Sequence, residues 1–206
     1  AVGEIVRFAV NNIEKVRSVL LQPIMFTGRD ANVGEDERRS RRYTLADLAR
    51  DLKHQTSGVQ WEPMRDWFPM SAYSVVGNLF DHLNPTATVG SMFADAHPSQ
   101  ANFRPLLVNQ RTRQVVPIAS FVNVERLLSD LAHITDHSQG PAWIKARLPL
   151  AILRNFDGRR APAGIGPSDL ARLFERFLPR FRSDAADWEA RDSTDPEWRL
   201  LMVAGM

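Results

Sequence analysis

A nearly continuous apolar run followed by a short polar turn is typical of a strand that ends at a ligand site. The run spans residues 18–26 and contains Val19, Leu20, Leu21, Ile24, Met25 and Phe26. It predicts a β-strand that is buried on both faces. Thr27, Gly28 and Arg29 come directly after it. Because ligands of α/β folds bind at the carboxyl ends of strands, these three residues are the first candidates for ligand contact.

An aromatic segment, residues 58–70, contains the second group of candidates. Trp61, Trp67 and Phe68 stand there beside Arg65 and Asp66. In one interpretation these side chains line a ligand site. In the other they anchor a loop over the hydrophobic core. The residue types are compatible with both interpretations.

Motifs that would identify a reaction are absent from the sequence. His133 and His137 are four residues apart and share a helix face, but no third metal ligand accompanies them. The sequence contains no glycine-rich phosphate loop and no Gly-x-Ser-x-Gly motif. Composition and spacing therefore predict no metal site and leave the catalytic residues unknown.

The composition excludes several classes of protein. The 206 residues include no cysteine, so the chain forms no disulfide and offers no thiolate to a metal or a substrate. Apolar segments are too short to span a membrane and no secretory signal is present, which predicts a cytoplasmic protein. The net charge is +2 with few lysines, which argues against a specific nucleic-acid binder. An arginine cluster at 38–42 is typical of a solvated face; the alternative is a phosphate or partner patch.

Hydrophobic periodicity predicts an α/β chain in three parts. Residues 1–57 form a helix–strand–helix segment, and residues 140–206 form a helical region. Between them, residues 58–139 contain the aromatic loop, a helix, a β-hairpin and a second helix. The first helix covers residues 2–12, a loop covers 30–42, and Thr44 begins a helix with a capping box that ends near Gln55. The hairpin joins 103–108 to 114–121. Further helices are predicted after Ser71, Asn123, Gly140 and Ser168, and a last helix begins at Asp195. Both ends of the chain have the character of cut ends, so we expect a piece of a longer protein.

Several blocks of the sequence resemble a known family. They are Gln-Pro-Ile-Met-Phe-Thr-Gly-Arg at 22–29, Arg-Arg-Tyr-Thr-Leu-Ala-Asp-Leu at 41–48, Arg-Asp-Trp-Phe-Pro at 65–69, Val-Val-Pro-Ile-Ala-Ser-Phe at 115–121 and Leu-Leu-Met-Val-Ala-Gly-Met at 200–206. In this order they resemble the radical SAM family that includes archaeal tetraether lipid synthase and methanogen pterin methyltransferase-like enzymes. The first two blocks are the most specific.

The resemblance implies a fold, a cofactor and a set of contacts. The chain would form the late part of a partial (β/α) barrel, followed by a mostly helical region with a small hairpin. S-adenosylmethionine (SAM) would bind at a four-iron, four-sulfur cluster held by three cysteines of an earlier CxxxCxxC loop, and its cleavage would supply a 5′-deoxyadenosyl radical. Gln22, Thr27, Gly28 and Arg29 would contact SAM, since arginine suits its carboxylate. Arg65, Asp66 and Trp67 would contact a small-molecule or lipid substrate.

One block departs from the family pattern. Where members of the family have a patch resembling Cys-His-Pro-x-Cys, this chain has Ala-His-Pro-Ser-Gln at 96–100. An accessory cluster is therefore in doubt here.

Three functions remain open from sequence. In the first, the chain is the wall of the SAM and substrate cavity of a radical SAM enzyme and is inactive alone, the reaction being methylation or carbon–carbon coupling. In the second, it is a non-catalytic remnant that binds a partner or a small molecule. In the third, the arginine cluster binds a nucleotide. A half barrel would also expose an apolar edge through which copies of the chain could form an oligomer.

Overall fold

The fold is a mixed β-sheet with helices on both faces. The structure, a computed structural model, describes residues 2–22, 32–56, 59, 62, 66–83, 90, 101–177 and 197–205. The strands are β1 (Ser18–Leu21), β2 (Phe68–Pro69), β3 (Asn102–Asn109), β4 (Val115–Pro117) and β5 (Trp198–Gly205). The helices are α1 (Val2–Asn11), α2 (Glu35–Arg41), α3 (Leu45–Gln55), α4 (Tyr73–Leu83), α5 (Val124–Asp136), α6 (Pro141–Asn155) and α7 (Pro167–Phe177). The predicted α/β class is confirmed, whereas the partial barrel remains a prediction.

The strand at the centre of the sheet comes from the end of the described chain. The strand order is β1-β5-β3-β2, and β4 also pairs with β3. β1 runs parallel to β5, from the pair Ser18–Met202 to the pair Leu21–Gly205. β3 runs antiparallel to β5 over its whole length. The predicted hairpin is confirmed as β3 and β4, and it shares one sheet with β1. Its second strand is shorter than predicted, because it ends at Pro117 and residues 118–120 form a 3₁₀ helix.

Each face of the sheet has its own hydrophobic core. Leu201 and Val203 of β5 lie on the face covered by α1 and α3. The alternate residues Leu200, Met202 and Ala204 lie on the face covered by α4, α5, α6 and α7. The Tyr73 hydroxyl of α4 donates a hydrogen bond to Met202 Sδ at 3.0 Å, and burial raises its pKa above the ordinary tyrosine value. All eight residues of β5 are buried, because alternate side chains enter opposite cores.

The helix starts agree with the sequence where a cap signals them. Thr44 Oγ1 accepts from the Asp47 N–H at 3.2 Å, and Asp47 Oδ2 accepts from the Thr44 N–H at 2.9 Å. These bonds form the predicted capping box of α3, and the bond from the Thr44 N–H is the main reason that the pKa of Asp47 is lowered. Asn123 Oδ1 accepts from the Arg126 N–H at 3.1 Å and caps α5. Helices predicted after Ser71, Gly140 and Ser168 are confirmed as α4, α6 and α7.

Two sequence predictions are wrong. The predicted last helix is the strand β5, because a strand buried on both faces lacks the alternation that distinguishes strands from buried helices. The predicted loop at 30–42 contains the helix α2, which buries no residue and so has no apolar stripe. Exposed ion pairs support α2 instead, Arg39 to Glu35 at 3.2 Å and Arg41 to Glu37 at 2.8 Å.

The predicted strand at 18–26 is confirmed for its first part, as β1. Residues 23–31 lie outside the described residues. No helix within the described ranges combines the length and the apolar character that a membrane span requires.

The central position of β5 generates a stability prediction. Leu201 is fully buried between strands, whereas Leu150 on α6 is 54% exposed. We expect Leu201→Ala to lower the free energy of unfolding by about 2–5 kcal/mol through the cavity that it leaves. The matched change Leu150→Ala should alter it by about 0.5 kcal/mol or less. Urea denaturation followed by circular dichroism measures both values, and equal effects would contradict a central β5.

Candidate functional site

The first candidate site is the edge of the sheet at which β1 and β5 end. Leu21 of β1 pairs with Gly205 of β5, and Gly205 pairs with Asn102 at the start of β3. Gln22 is the first residue after β1, and its side chain is exposed. Gln22 therefore lies at a strand end, as a ligand contact in this fold class would. Thr27, Gly28 and Arg29 lie outside the described residues, so their contact with SAM remains a prediction.

A buried ion pair joins the aromatic segment to the centre of the sheet. Arg104 Nη2 of β3 lies 2.6 Å from Asp66 Oδ2, and both side chains are at most 1% exposed. The same Asp66 oxygen accepts a hydrogen bond from the Glu62 N–H at 3.1 Å. Arg104 lies on the same face of β3 as Leu106 and Val108, which belong to the core under α1 and α3.

The ion pair fixes the position of the residues before β2. Phe68 pairs with Phe103, so Trp67 and Asp66 run alongside Arg104. Trp67 packs against the core under α1 and α3. Asp66 and Trp67 thus anchor this segment to the sheet, as the loop interpretation expects. Substrate contact by Asp66 and Trp67 remains a prediction, and so does contact by Arg65, which lies outside the described residues.

Arg104 was missed from sequence, although the sequence carried a signal. It is the one charged residue in the otherwise apolar stretch at 103–108. A charge in a buried strand requires a partner of opposite sign, because desolvation of an unpaired charge is costly. The signal indicates that a partner exists but does not identify Asp66.

The second candidate site is a polar cavity of about 460 Å³ between α5 and α6, which we call the α5–α6 cavity. Its floor is the junction where residues 121–123 run beside residues 155–157. The Asn123 N–H donates to the Asn155 carbonyl at 2.9 Å, and the Asp157 N–H donates to the Phe121 carbonyl at 2.7 Å. The rings of Phe121 and Phe156, 5.8 Å apart and edge to face, also line it. This volume is within the usual range for small-molecule sites.

Three arginines from three places in the chain line this cavity. Arg126 comes from the first turn of α5, Arg154 from the last turn of α6, and Arg160 from the turn that follows. Arg160 lies 3.5 Å from Asp157, which also lines the cavity together with Glu125. Sequence reasoning missed this group, because residues 123, 126, 154 and 160 converge only when α5 packs against α6.

No cluster suited to a metal ion was found in the part of the chain that the structure describes. His133 and His137 are neighbours on α5, with ring centroids 4.2 Å apart. A ring nitrogen of His137, Nδ1, lies 3.0 Å from the His133 carbonyl oxygen. The pair lies at the helix end, where a positive charge is favoured by the helix dipole.

No protein-family model matches the chain. The sequence is similar to the 7,8-dihydro-6-hydroxymethylpterin dimethyltransferase of Methanocaldococcus jannaschii, with 28% identity over 191 residues. The alignment covers 89% of this chain and 35% of that protein, so the chain spans about a third of the length of the relative that it matches. The activity of that relative agrees with the resemblance to pterin methyltransferase-like enzymes found in the sequence blocks.

The buried ion pair generates a prediction about stability. Asp66→Asn removes the negative charge beside Arg104, and we expect the free energy of unfolding to fall by about 3 kcal/mol or more. Glu62→Gln is the matched control, since Glu62 is 52% exposed and lies 3.7 Å from Lys53. This control should change stability by less than about 1 kcal/mol.

A double-mutant cycle separates the ion pair from other effects at the same position. Arg104→Met combined with Asp66→Asn should cost less than the sum of the two single changes, because neither charge is then left buried. Strict additivity in urea denaturation would count against coupling between the two side chains.

Proposed function

We propose that this chain is part of a radical SAM methyltransferase that methylates a small fused-ring molecule of the pterin type. The observation that carries the proposal is the alignment of 89% of the chain with a pterin dimethyltransferase. The order of the five sequence blocks is consistent with it. Carbon–carbon coupling of a lipid is the other outcome that the same family resemblance allows.

The cluster does not fit this chain. A four-iron, four-sulfur cluster requires thiolate ligands, and the chain has no cysteine. In the proposed enzyme such a cluster, held by residues outside this chain, would supply the electron for the cleavage of SAM to a radical. The cluster then belongs to a part of the enzyme outside these 206 residues.

The proposed roles of this chain are to bind and to orient. Gln22, Thr27, Gly28 and Arg29 contact SAM beyond the end of β1, with the Arg29 guanidinium on the SAM carboxylate. Arg65 and Trp67 contact the substrate. The buried Asp66–Arg104 pair supports this arrangement, because it holds the segment before β2 against the sheet.

Exposed apolar side chains on β1 and α1 support a larger enzyme. Leu20 of β1 is 56% exposed, and Phe8 and Ile5 of α1 are 62% and 48% exposed. β1 is also the outermost strand of the described sheet order. We propose that the cluster-binding barrel packs against the β1 side of the sheet, where β1 has a free strand edge among the described residues.

The second candidate function is a non-catalytic module that binds a partner or a small molecule. The cysteine-free sequence and the α5–α6 cavity favour it, because a cavity can bind a ligand without a cluster. The two candidates differ in whether the complete protein consumes SAM.

A reconstitution experiment tests the proposal. The complete protein is purified without oxygen, loaded with iron and sulfide, and given SAM, dithionite and 7,8-dihydro-6-hydroxymethylpterin. We expect 5′-deoxyadenosine and a methylated pterin, both measured by mass spectrometry. One SAM yields the radical that removes the hydrogen atom, a second SAM donates the methyl group and leaves as S-adenosylhomocysteine, and dithionite supplies the two electrons. The 206-residue chain alone should yield neither product. A complete protein that leaves SAM intact would favour the non-catalytic module.

The proposed contact of Arg29 with SAM generates a separate prediction. Arg29→Gln should raise the KM for SAM by roughly 10- to 100-fold, which corresponds to the binding free energy lost with one charged hydrogen-bonded pair. Arg39→Gln is the matched control, because Arg39 is 74% exposed on α2 and pairs only with Glu35 among the described residues. Its KM should stay within about twofold of the wild type. An unchanged KM in Arg29→Gln would remove Arg29 from the SAM site.

A further inference from the structure

We propose that the α5–α6 cavity binds a small molecule that carries one phosphate monoester group and an apolar or aromatic body. This site is separate from the proposed SAM contacts after β1, and its existence does not depend on radical chemistry. Three observations carry the inference: the charges of the wall, the helix end and the aromatic floor. A buried amide oxygen of a lining residue accompanies them.

The charged side chains that line the cavity favour a ligand with a small negative charge. Arg126, Arg154 and Arg160 line the cavity together with two carboxylates, Glu125 and Asp157. The Asp157 carboxylate forms an ion pair with Arg160 at 3.5 Å and accepts a hydrogen bond from the Arg159 N–H at 3.0 Å. Arg126 and Arg154 form no ion pair with any described residue, so two guanidinium groups are available for a ligand. Their planar donor pairs match the oxygens of a phosphate.

The start of α5 adds donors of its own. The Asn123 cap accepts from the Arg126 N–H, and the N–H groups of Val124 and Glu125 in the same turn have no acceptor within the helix. This end of a 13-residue helix also carries the positive end of the helix dipole. Val124 and Glu125 both line the cavity, so the start of α5 forms part of its wall.

Asn155 supplies an acceptor that the fold leaves unused. The residue is 4% exposed and lines the cavity. Its amide nitrogen donates to Asp130 Oδ2 at 2.7 Å and to the Ala151 carbonyl at 2.8 Å, which determines the orientation of the amide. Its Oδ1 is buried and has no hydrogen-bond partner in the described part of the chain. A buried acceptor without a donor is rare, and because solvent does not reach this oxygen, a ligand would contact it only after a shift of the Asn155 side chain.

The remaining wall is aromatic. Phe121 and Phe156 lie on the floor and Phe68 of β2 on one side. These rings suit an apolar or aromatic ligand body, while the two free arginines and the helix end suit its phosphate. The presence of Glu125 disfavours ligands with several phosphates, because each added negative charge meets this carboxylate.

Calorimetric titration of the complete protein with phenyl phosphate tests the site. Arg126→Gln and Arg154→Gln should each weaken binding about 10-fold, since each removes a charged hydrogen-bonding partner. Arg147→Gln is the matched control on α6, because Arg147 does not line the cavity and stacks on Trp143 at 5.3 Å. Its affinity should stay within about twofold of the wild type.

Glu125→Gln provides a variant with the opposite sign. Removal of this carboxylate should tighten phenyl phosphate binding about threefold, an effect that damage to the fold would not produce. Inorganic phosphate should compete with phenyl phosphate and bind more weakly, because it lacks the aromatic body. Benzoate should bind at least about 10-fold more weakly than phenyl phosphate.

Three results would overturn the proposal. One is the absence of phenyl phosphate binding at millimolar concentration. Another is wild-type affinity in both Arg126→Gln and Arg154→Gln, since binding would then occur elsewhere. The third is equal or tighter binding of benzoate, which would assign the cavity to carboxylates instead of phosphates.

Discussion

The pairing of β5 with both β1 and β3 is the constraint on which the rest of this structure depends. β5 joins a strand from the beginning of the chain to a strand from its middle, and its side chains enter both hydrophobic cores. Without it, β1 and β3 would not share a sheet, and α1 and α3 would lose the surface that they cover. Because Ser18 pairs with Met202, the sheet closes a very long loop, whose entropy cost the two cores must offset.

This arrangement determines where polar groups can lie. The ends of β1 and β5 meet the start of β3 at one edge, where Gln22 leaves the sheet. Two positions further into β3, Arg104 is held in the core by Asp66. A buried ion pair contributes little net stability compared with apolar packing, but it strongly disfavours alternatives in which either charge lacks its partner. Its role here is to determine the position of the segment before β2.

The two candidate sites lie on different parts of this framework. The first is an edge of the sheet, and its proposed ligand residues follow directly from one strand. The second is a gap between α5 and α6, and its residues come from a helix start, a helix end and a turn. Phe68 of β2 lies beside the α5–α6 cavity and directly follows Trp67, so the aromatic segment connects the buried ion pair with this cavity.

Features that are formed by neighbouring residues could be predicted from the sequence. The capping box of Thr44 and Asp47, the Asn123 cap and the amphipathic helices follow from local spacing, because each is formed by residues within one or two turns. Three features became apparent only in the folded chain: residues 198–205 form a central strand, Asp66 is the partner of Arg104, and Arg126 and Arg154 line one cavity. These features depend on contacts between residues far apart in the chain. A buried apolar run is compatible with helix and strand alike, so pairing with β1 and β3 is what selects the strand.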